Sequence, residues 1–444
     1  MTQLPQKPPA DWNHYLRAGQ EKYSEDAQFV REVKEYNRRY LFWDELKYRV
    51  PDQRRQKMVW AVMKMYRTMQ QEHVRFSPVG LTYSITPEIA RNLHAIDRSL
   101  TGTIRIQNRT IRLEPSYIIN SFMEEAIASS ILEGAATTRK AAKEMLRKGR
   151  KPRNHSEQMV ANNYEAMNFI LEHKDDPLSP DLILELHRIV TQGTIDTSDV
   201  GQFRANNDVV VADPATGVVY HTPPDYRGIG EYITELCTFA NRNGQPADAG
   251  NEEYIHPVIK GIILHFLIGY IHPFNDGNGR TARSLFYWYV LSCGYWLFEY
   301  LPISRIILRS KRKYSLAYLH TEYDAMDLTY FILYNLSCTD EARKDLLKYL
   351  EKKQGEQKAT KAIITTIKGI SQRQGDILRS MMEHRDEYFT IREIMQMYDT
   401  VYETARTDLL HLADLGYVIQ EKRGREFIFI FNEASGLRKQ GPGT

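Results

Sequence analysis

In the stretch YIHPFNDGNGRTARSLF, residues 270–286, one histidine, one carboxylate, two glycines and two arginines fall between His272 and Arg283. Gly277, Asn278 and Gly279 tolerate positive φ and precede a helix expected to begin near Arg280, so their backbone N–H groups can face an anion closely. Arg280 and Arg283 are three positions apart, project from adjacent turns of one helix face, and suit two phosphates of a polyphosphate. Asp276 sets a carboxylate beside that anion site, which is unfavourable unless a cation intervenes. Mg²⁺ held by one carboxylate and by phosphate oxygens answers that need. His272 closes the preceding helix, fixed by Pro273 and Phe274, where a neutral imidazole can take a proton from an incoming hydroxyl. These residue types fit transfer of a nucleotide: a phosphate cradle, a metal ligand and a general base.

The turn lies between two apolar segments read as helix, HPVIKGIILHFLIGY and GRTARSLFYWYVLSCGYW. Upstream, SYIINSFMEEAIASSILEG puts Ile118, Ile119, Phe122, Met123, Ile127, Ile131 and Leu132 on one apolar stripe that Gly134 ends. HSEQMVANNYEAMNFILEHK and SPDLILELHRIVTQGT follow as helices, the second with Ser179 as N-cap and Pro180 in its first turn. Between them and the turn, DVVVADPATGVVYHTPP (208–224) reads as a β-hairpin: Val209, Val210 and Val211, then Val218, Val219 and Tyr220, around Asp213, Pro214 and Gly217.

The remainder frames this core. Residues 1–114 are mainly helical, with a Pro-rich start read as mobile, an apolar helix around 59–69 and a short hairpin at 103–113. After Leu350 the chain turns charged, as in a helical linker over 341–370. Residues 371–433 then give three helical patterns, SQRQGDILRSMMEH, FTIREIMQMYD and TVYETARTDLLHLADLGYV, and a two-stranded ending, VIQEKRGREFIFIF; this order resembles a winged helix. The tail 434–444 is read as unstructured. The fold class is thus mainly α.

Composition excludes several alternatives. The 444 residues suffice for two or three domains, 42% apolar and 26% charged content is ordinary for a soluble protein, and a net charge of +3 gives no general pull toward nucleic acid or membrane. The most apolar window, 258–271, is too short to span a bilayer and contains Lys260 and His265, so it reads as a core helix. No secretory h-region opens the chain, and Cys237, Cys293 and Cys338 are scattered among apolar residues, each read as a buried free thiol. A reducing cytoplasm is the compartment expected.

His272, Pro273, Phe274, Asp276, Gly277, Asn278, Gly279, Arg280 and Arg283 match every fixed position of the Fic pattern HPFx[DE]GN[GK]RxxR, and residues 115–340 resemble a Fic domain in their order of helices, hairpin and motif. The resemblance implies an all-helical core and a protein adenylyltransferase that moves AMP from ATP to a Ser, Thr or Tyr hydroxyl of a protein, or of this chain itself, releasing pyrophosphate. It implies that His272 deprotonates the hydroxyl and that Asp276 holds Mg²⁺. Gly277, Asn278, Gly279 and Arg280 would take the phosphates, and Arg283 the γ-phosphate. The hairpin 208–224, after the lead-in GQFR (201–204), corresponds to the family's flap, which registers the target as an added strand.

Ser129, Glu133 and Gly134 fit the family's inhibitory pattern [ST]xxxE[GN], and their place before the core resembles the class whose inhibitory helix is N-terminal. In that class the glutamate pairs with the second arginine, here Arg283, and so competes with ATP for one guanidinium. UMP, phosphocholine or phosphate transfer, or removal of AMP, would use the same motif. A nucleotide-sensing DNA-binding regulator is a further alternative. In the C-terminal module Arg406 is set against Glu403, Asp408 and Asp414, and Lys422, Arg423 and Arg425 against Glu421 and Glu426. DNA binding therefore ranks below protein interaction or dimerisation. A homodimer follows by family analogy alone.

Overall fold

The computed structural model describes residues 4–77, 79–100, 105–106, 109–110, 115–213, 216–242, 254–364, 367, 369–385, 387–424 and 426–435, with backbone alone for 99–100, 105–106, 109–110, 115–119, 353–364 and 383. Pro214, Arg425 and the tail residues 436–444 lie outside the described residues, as do the side chains of Ile118 and Ile119. The chain divides into two compact units, 1–111 with 121–344 and 112–120 with 345–444.

In the first unit, helices Leu16–Glu25, Ala27–Arg38 and Gln53–Gln70 pack around Phe29, Phe42, Trp43 and Trp60. The short hairpin expected at 103–113 is present as Arg105–Ile106 paired with Arg109–Thr110. Helix Pro115–Leu132 (α1) buries Phe122, Met123, Ile127 and Leu132 of the apolar stripe read from its sequence, while Ile131 is half-buried. Helix His155–Glu172 follows, then Pro180–Thr191 (α2), whose N-cap Ser179 accepts from the Leu182 N–H at 3.1 Å.

Helix Pro257–Ile271 (α3) is buried on all sides from Val258 to Ile268, the mark of a helix at the centre of a bundle rather than on its surface. It lies beside Asn278–Ser292 (α4), which starts two residues earlier than the sequence suggested because Gly277 takes the N-cap position. Helix Lys311–Tyr323 (α5) packs nearby. Cys237 and Cys338 are buried as expected, but Cys293, the residue that ends α4, is exposed: the helix leaves the core there.

The hairpin is shorter than its sequence implied. Val211–Ala212 (β1) pairs antiparallel with Val219–His221 (β2) across an irregular register, while Val209 and Val210 precede the first strand. Its turn is closed by Asp213 N–H to Val218 O at 2.9 Å and Gly217 N–H to Asp213 O at 2.8 Å.

The second unit has its own core of Ile377, Met381, Phe389, Ile394, Leu409 and Phe429. Its helices are Gln372–Glu383, Ile391–Met397 and Tyr402–Asp414. Phe389 and Thr390, read as the start of a helix, belong instead to the strand Tyr388–Thr390, so the sheet has three strands in the order 388–390, 426–431, 418–423. Thr390 ends that strand and caps the next helix, accepting from Glu393 N–H at 3.2 Å, and this shared residue hid the boundary. Ala434 and Ser435 complete a 3₁₀ turn, so the ordered chain runs beyond 433. Among the described residues no helix is long and apolar enough to cross a membrane.

Candidate active site

The end of α3 turns sharply. His272 is its C-cap with φ +48°, a left-handed conformation uncommon outside glycine, and Gly277 returns the chain into α4 at φ +84°. A Cβ on Gly277 would lie 2.7 Å from Thr191 Cγ2, so glycine is required there by space as well as by conformation. Asn278 staples the turn, its side chain accepting from Phe274 N–H at 3.0 Å and donating to Phe274 O at 2.8 Å.

Two residues the motif did not single out hold this turn. His187 of α2 stacks on Phe274, ring centroids 3.7 Å apart. Its Nδ1 accepts from Gly201 N–H at 3.1 Å, so Nε2 carries the proton and donates to Asp276 O at 2.9 Å. Burial lowers its pKa to about 4 and keeps it neutral. Arg204, from the lead-in GQFR, donates through Nε to His272 O at 2.9 Å, through Nη1 to Asn206 O at 2.7 Å and through Nη2 to Pro224 O. One buried guanidinium thus ties the motif to both ends of the flap. The detectable signal for His187 was a histidine among Ile183, Leu186 and Val190 on the buried face of its helix.

His272 donates from Nδ1 to Gly269 O at 3.1 Å, which leaves Nε2 as the nitrogen with a free lone pair. Burial is the main cause that lowers its pKa, to about 4, so the imidazole is a base rather than an acid at neutral pH. Asp276 keeps its side chain 60% exposed and accepts from Gly277 N–H, with Arg280 Nη2 at 3.5 Å. Arg280 is buried: Nη1 donates to Val190 O at 2.6 Å, while Nε has no partner among the described residues. The two arginines are therefore not equal clamps; Arg280 is half committed to the fold.

Arg283 is held by the helix expected to inhibit it. Its Nε donates to Ser129 Oγ at 2.9 Å, and Nη2 to Ser129 O at 3.2 Å and to Glu133 Oε1 at 2.8 Å. Desolvation opposes its charge, but Glu133, Tyr314 and Glu125 nearby outweigh it and the pKa is raised. Gly134 follows at φ +96°, with Gly134 N–H bonded to Ile131 O at 3.1 Å and Ala135 N–H to Ser130 O at 3.0 Å, a Schellman end that places Glu133 at the C-cap. A Cβ on Gly279 would collide with Glu133 Oε1, so this carboxylate rests against the first turn of α4. Behind the pair, Glu125 is buried, accepts from Tyr287 OH at 2.9 Å and Ser304 N–H at 2.9 Å, and has its pKa raised by burial.

The flap is anchored at its second strand. His221 is buried, with Nδ1 2.8 Å from Glu322 Oε2 and Nε2 2.7 Å from Tyr270 O, two residues before His272. Val210 and Val219 remain 43% and 45% exposed. Burial first, then a bond to Asp213, pushes the Tyr220 hydroxyl up to about 12. Of the expected site residues, His272, Asp276, Gly277, Asn278, Gly279, Arg280, Arg283, Ser129, Glu133 and Gly134 converge around the start of α4.

The donor set fits a magnesium nucleotide. An exposed carboxylate, Gly277 where a Cβ would press on Thr191 and His187, and a buried guanidinium N–H without a partner among the described residues stand together at a helix N-terminus. Among the described residues no three His, Cys, Asp or Glu side chains gather as a metal site, so the ion would share Asp276 with phosphate oxygens.

Residues 177–290 match the Fic/DOC family. The protein adenylyltransferase Fic of Drosophila willistoni is 36% identical over 116 residues, 26% of this chain and 20% of that protein. The protein of the same description in Drosophila yakuba is 34% identical over 113 residues, again 26% and 20%. The chain thus spans about a fifth of the length of these curated relatives. In fold it is similar to the crystal structure of a Fic family protein from Desulfovibrio desulfuricans G20, with a TM-score of 0.50 and 18% identity over 79% of this chain and 98% of that one. The matched segment, residues 177–290, contains the complete turn from His272 to Arg283, so the chain carries a Fic/DOC domain.

Proposed function

We propose that this protein is an autoinhibited adenylyltransferase that moves AMP from ATP to a Ser, Thr or Tyr hydroxyl of a target protein or of itself. The observation that supports this reading is His272, kept neutral by burial, beside the glycine turn Gly277–Gly279, with Arg283 of the following helix held by Glu133.

His272 Nε2 takes the proton of the hydroxyl as its oxygen attacks the α-phosphorus, and the bond to pyrophosphate breaks. The backbone at Gly277–Gly279 and the unpartnered Arg280 Nε stabilise the phosphate charge. Asp276 would hold Mg²⁺, which when bound neutralises phosphate charge. The flap, fixed by Arg204 and His221, holds the target segment in line by its main chain. With Glu133 in place Arg283 is not free for the γ-phosphate, so the resting protein binds ATP poorly or out of line.

Incubation with ATP labelled at the α- or the γ-phosphate tests this. Label from the α-position alone, raised by Glu133→Gly and lost with His272→Ala, supports the reading; label from γ overturns it. We assign the second unit's helices and three-stranded sheet to a winged-helix-like module serving protein contact. Its recognition-helix position pairs Arg406 with Glu403 at 3.4 Å, which supports this over DNA binding.

A further inference from the structure

We infer that Lys311 is a positioning residue for the inhibitory carboxylate: it fastens the last turn of α1 and so sets how firmly Glu133 holds Arg283. The inference rests on the autoinhibited reading and adds a residue that lies in neither the Fic motif nor the S-x-x-x-E-G pattern.

Glu133 stands at the least secure place in its helix. The last carbonyls of a helix have no intrahelical donor, and helix ends are where local opening is easiest. Leu132, the residue next to Glu133, has its carbonyl taken by Lys311 Nζ at 2.8 Å. An ammonium there satisfies an orphan acceptor and also opposes the negative end of the helix dipole.

Lys311 is presented from a fixed mount. It is the first residue of α5, and the face it begins continues at steps of three, four and four residues through Tyr314, Tyr318 and Glu322. Tyr314 OH lies 2.8 Å from His265 Nε2, and Tyr318 OH donates to His265 O at 3.3 Å, both on the central helix α3. Glu322 meets His221 of the flap at 2.8 Å. The helix carrying Lys311 is therefore bonded to the helix that carries His272, and the cap fixes the end of α1 in the frame of the active site. Two further bonds brace the same end, Asn163 Nδ2 to Ser130 Oγ at 2.8 Å and Ala136 N–H to Ser156 Oγ at 2.9 Å. Lys311 supplies the only charged group among these three braces.

The test is ATP affinity in the full-length chain, measured by calorimetry for wild type, Lys311→Met, Lys311→Arg, Glu133→Gly and the Glu133→Gly Lys311→Met double variant. Lys311→Met should tighten ATP about two- to five-fold, the scale of one cation at a helix C-terminus. Lys311→Arg, which keeps a donor, should bind as wild type, and the double variant should match Glu133→Gly. Amide exchange at Gly134 and Ala135 should quicken in Lys311→Met. If Glu133→Gly leaves ATP binding unchanged, the autoinhibited reading itself falls. If Glu133→Gly tightens ATP but Lys311→Met does not, or acts equally in the Glu133→Gly background, only the role of Lys311 falls.

Discussion

Arg283 and Glu133, 150 residues apart in sequence, meet at 2.8 Å on one side of the motif turn. Arg283 is nearly buried and Glu133 about a third exposed, so the pair is shielded on the arginine side and reachable on the other. A carboxylate so placed can be displaced by another anion without moving the guanidinium.

Glu133→Gly should therefore raise transfer from α-labelled ATP by about ten- to a hundred-fold, the scale of a lost charge-assisted hydrogen bond. Glu133→Gln should fall between, because its carbonyl still accepts from Arg283 while the charge is gone. Equal labelling by all three proteins contradicts the pairing.

His272→Ala should abolish transfer in the Glu133→Gly background. The pH profile of that background follows from the direction of the shift. His272 titrates near 4 in the folded protein, below its ordinary 6.5, so the basic form persists as pH falls from 7 to 5. An acid limb centred near 6.5 would show that the imidazole is solvated.

The same shift acts on stability. His187 and His272 both titrate near 4 when folded, so between 6.5 and about 4 the unfolded chain binds protons that the folded one refuses. Thermal midpoints should fall across that window as pH drops. Above 6.5 these two histidines contribute no slope.

Gly277→Ala should destabilise the protein by about 1–3 kcal/mol, through strain at positive φ and the clash with Thr191 Cγ2. Urea unfolding would measure it. A neutral outcome would mean the turn can relax without glycine.

Arg204→Met should lower transfer in the Glu133→Gly background by at least about ten-fold while ATP affinity stays within about two-fold, since its bonds hold the flap and the His272 carbonyl rather than the phosphates. Calorimetry beside the labelling assay separates the two effects. Equal loss of both would place Arg204 in nucleotide binding.

Much of this site was legible because its chemistry is contiguous. His272 to Arg283 occupy one turn and one helix start, so residue types and spacing pointed to them together, whereas Ser129, Glu133 and Gly134, at one helix end, were singled out through the resemblance to the inhibitory pattern. His187, Arg204 and the His221–Glu322 pair were not legible in their roles, because each acts through a backbone carbonyl or a stack that sequence spacing does not encode. The strand at Tyr388–Thr390 was hidden for another reason: three residues are too few for a period of two to show, and Thr390 serves as its end and as a helix cap. Cys293 was misjudged because apolar neighbours in sequence lie on the inner face of a helix that the cysteine itself terminates.

A Cβ on Gly279 would meet Glu133 Oε1, the movable end of that side chain, so the carboxylate rests directly against this glycine. On the autoinhibited reading, the carboxylate is then a tethered ligand, present at a fixed effective concentration at the place a nucleotide must reach. Apparent ATP affinity becomes the intrinsic affinity scaled by the fraction of molecules with Glu133 detached. On that reading, ATP concentration and the stability of one helix end would set activity jointly, giving a graded rather than an all-or-none response.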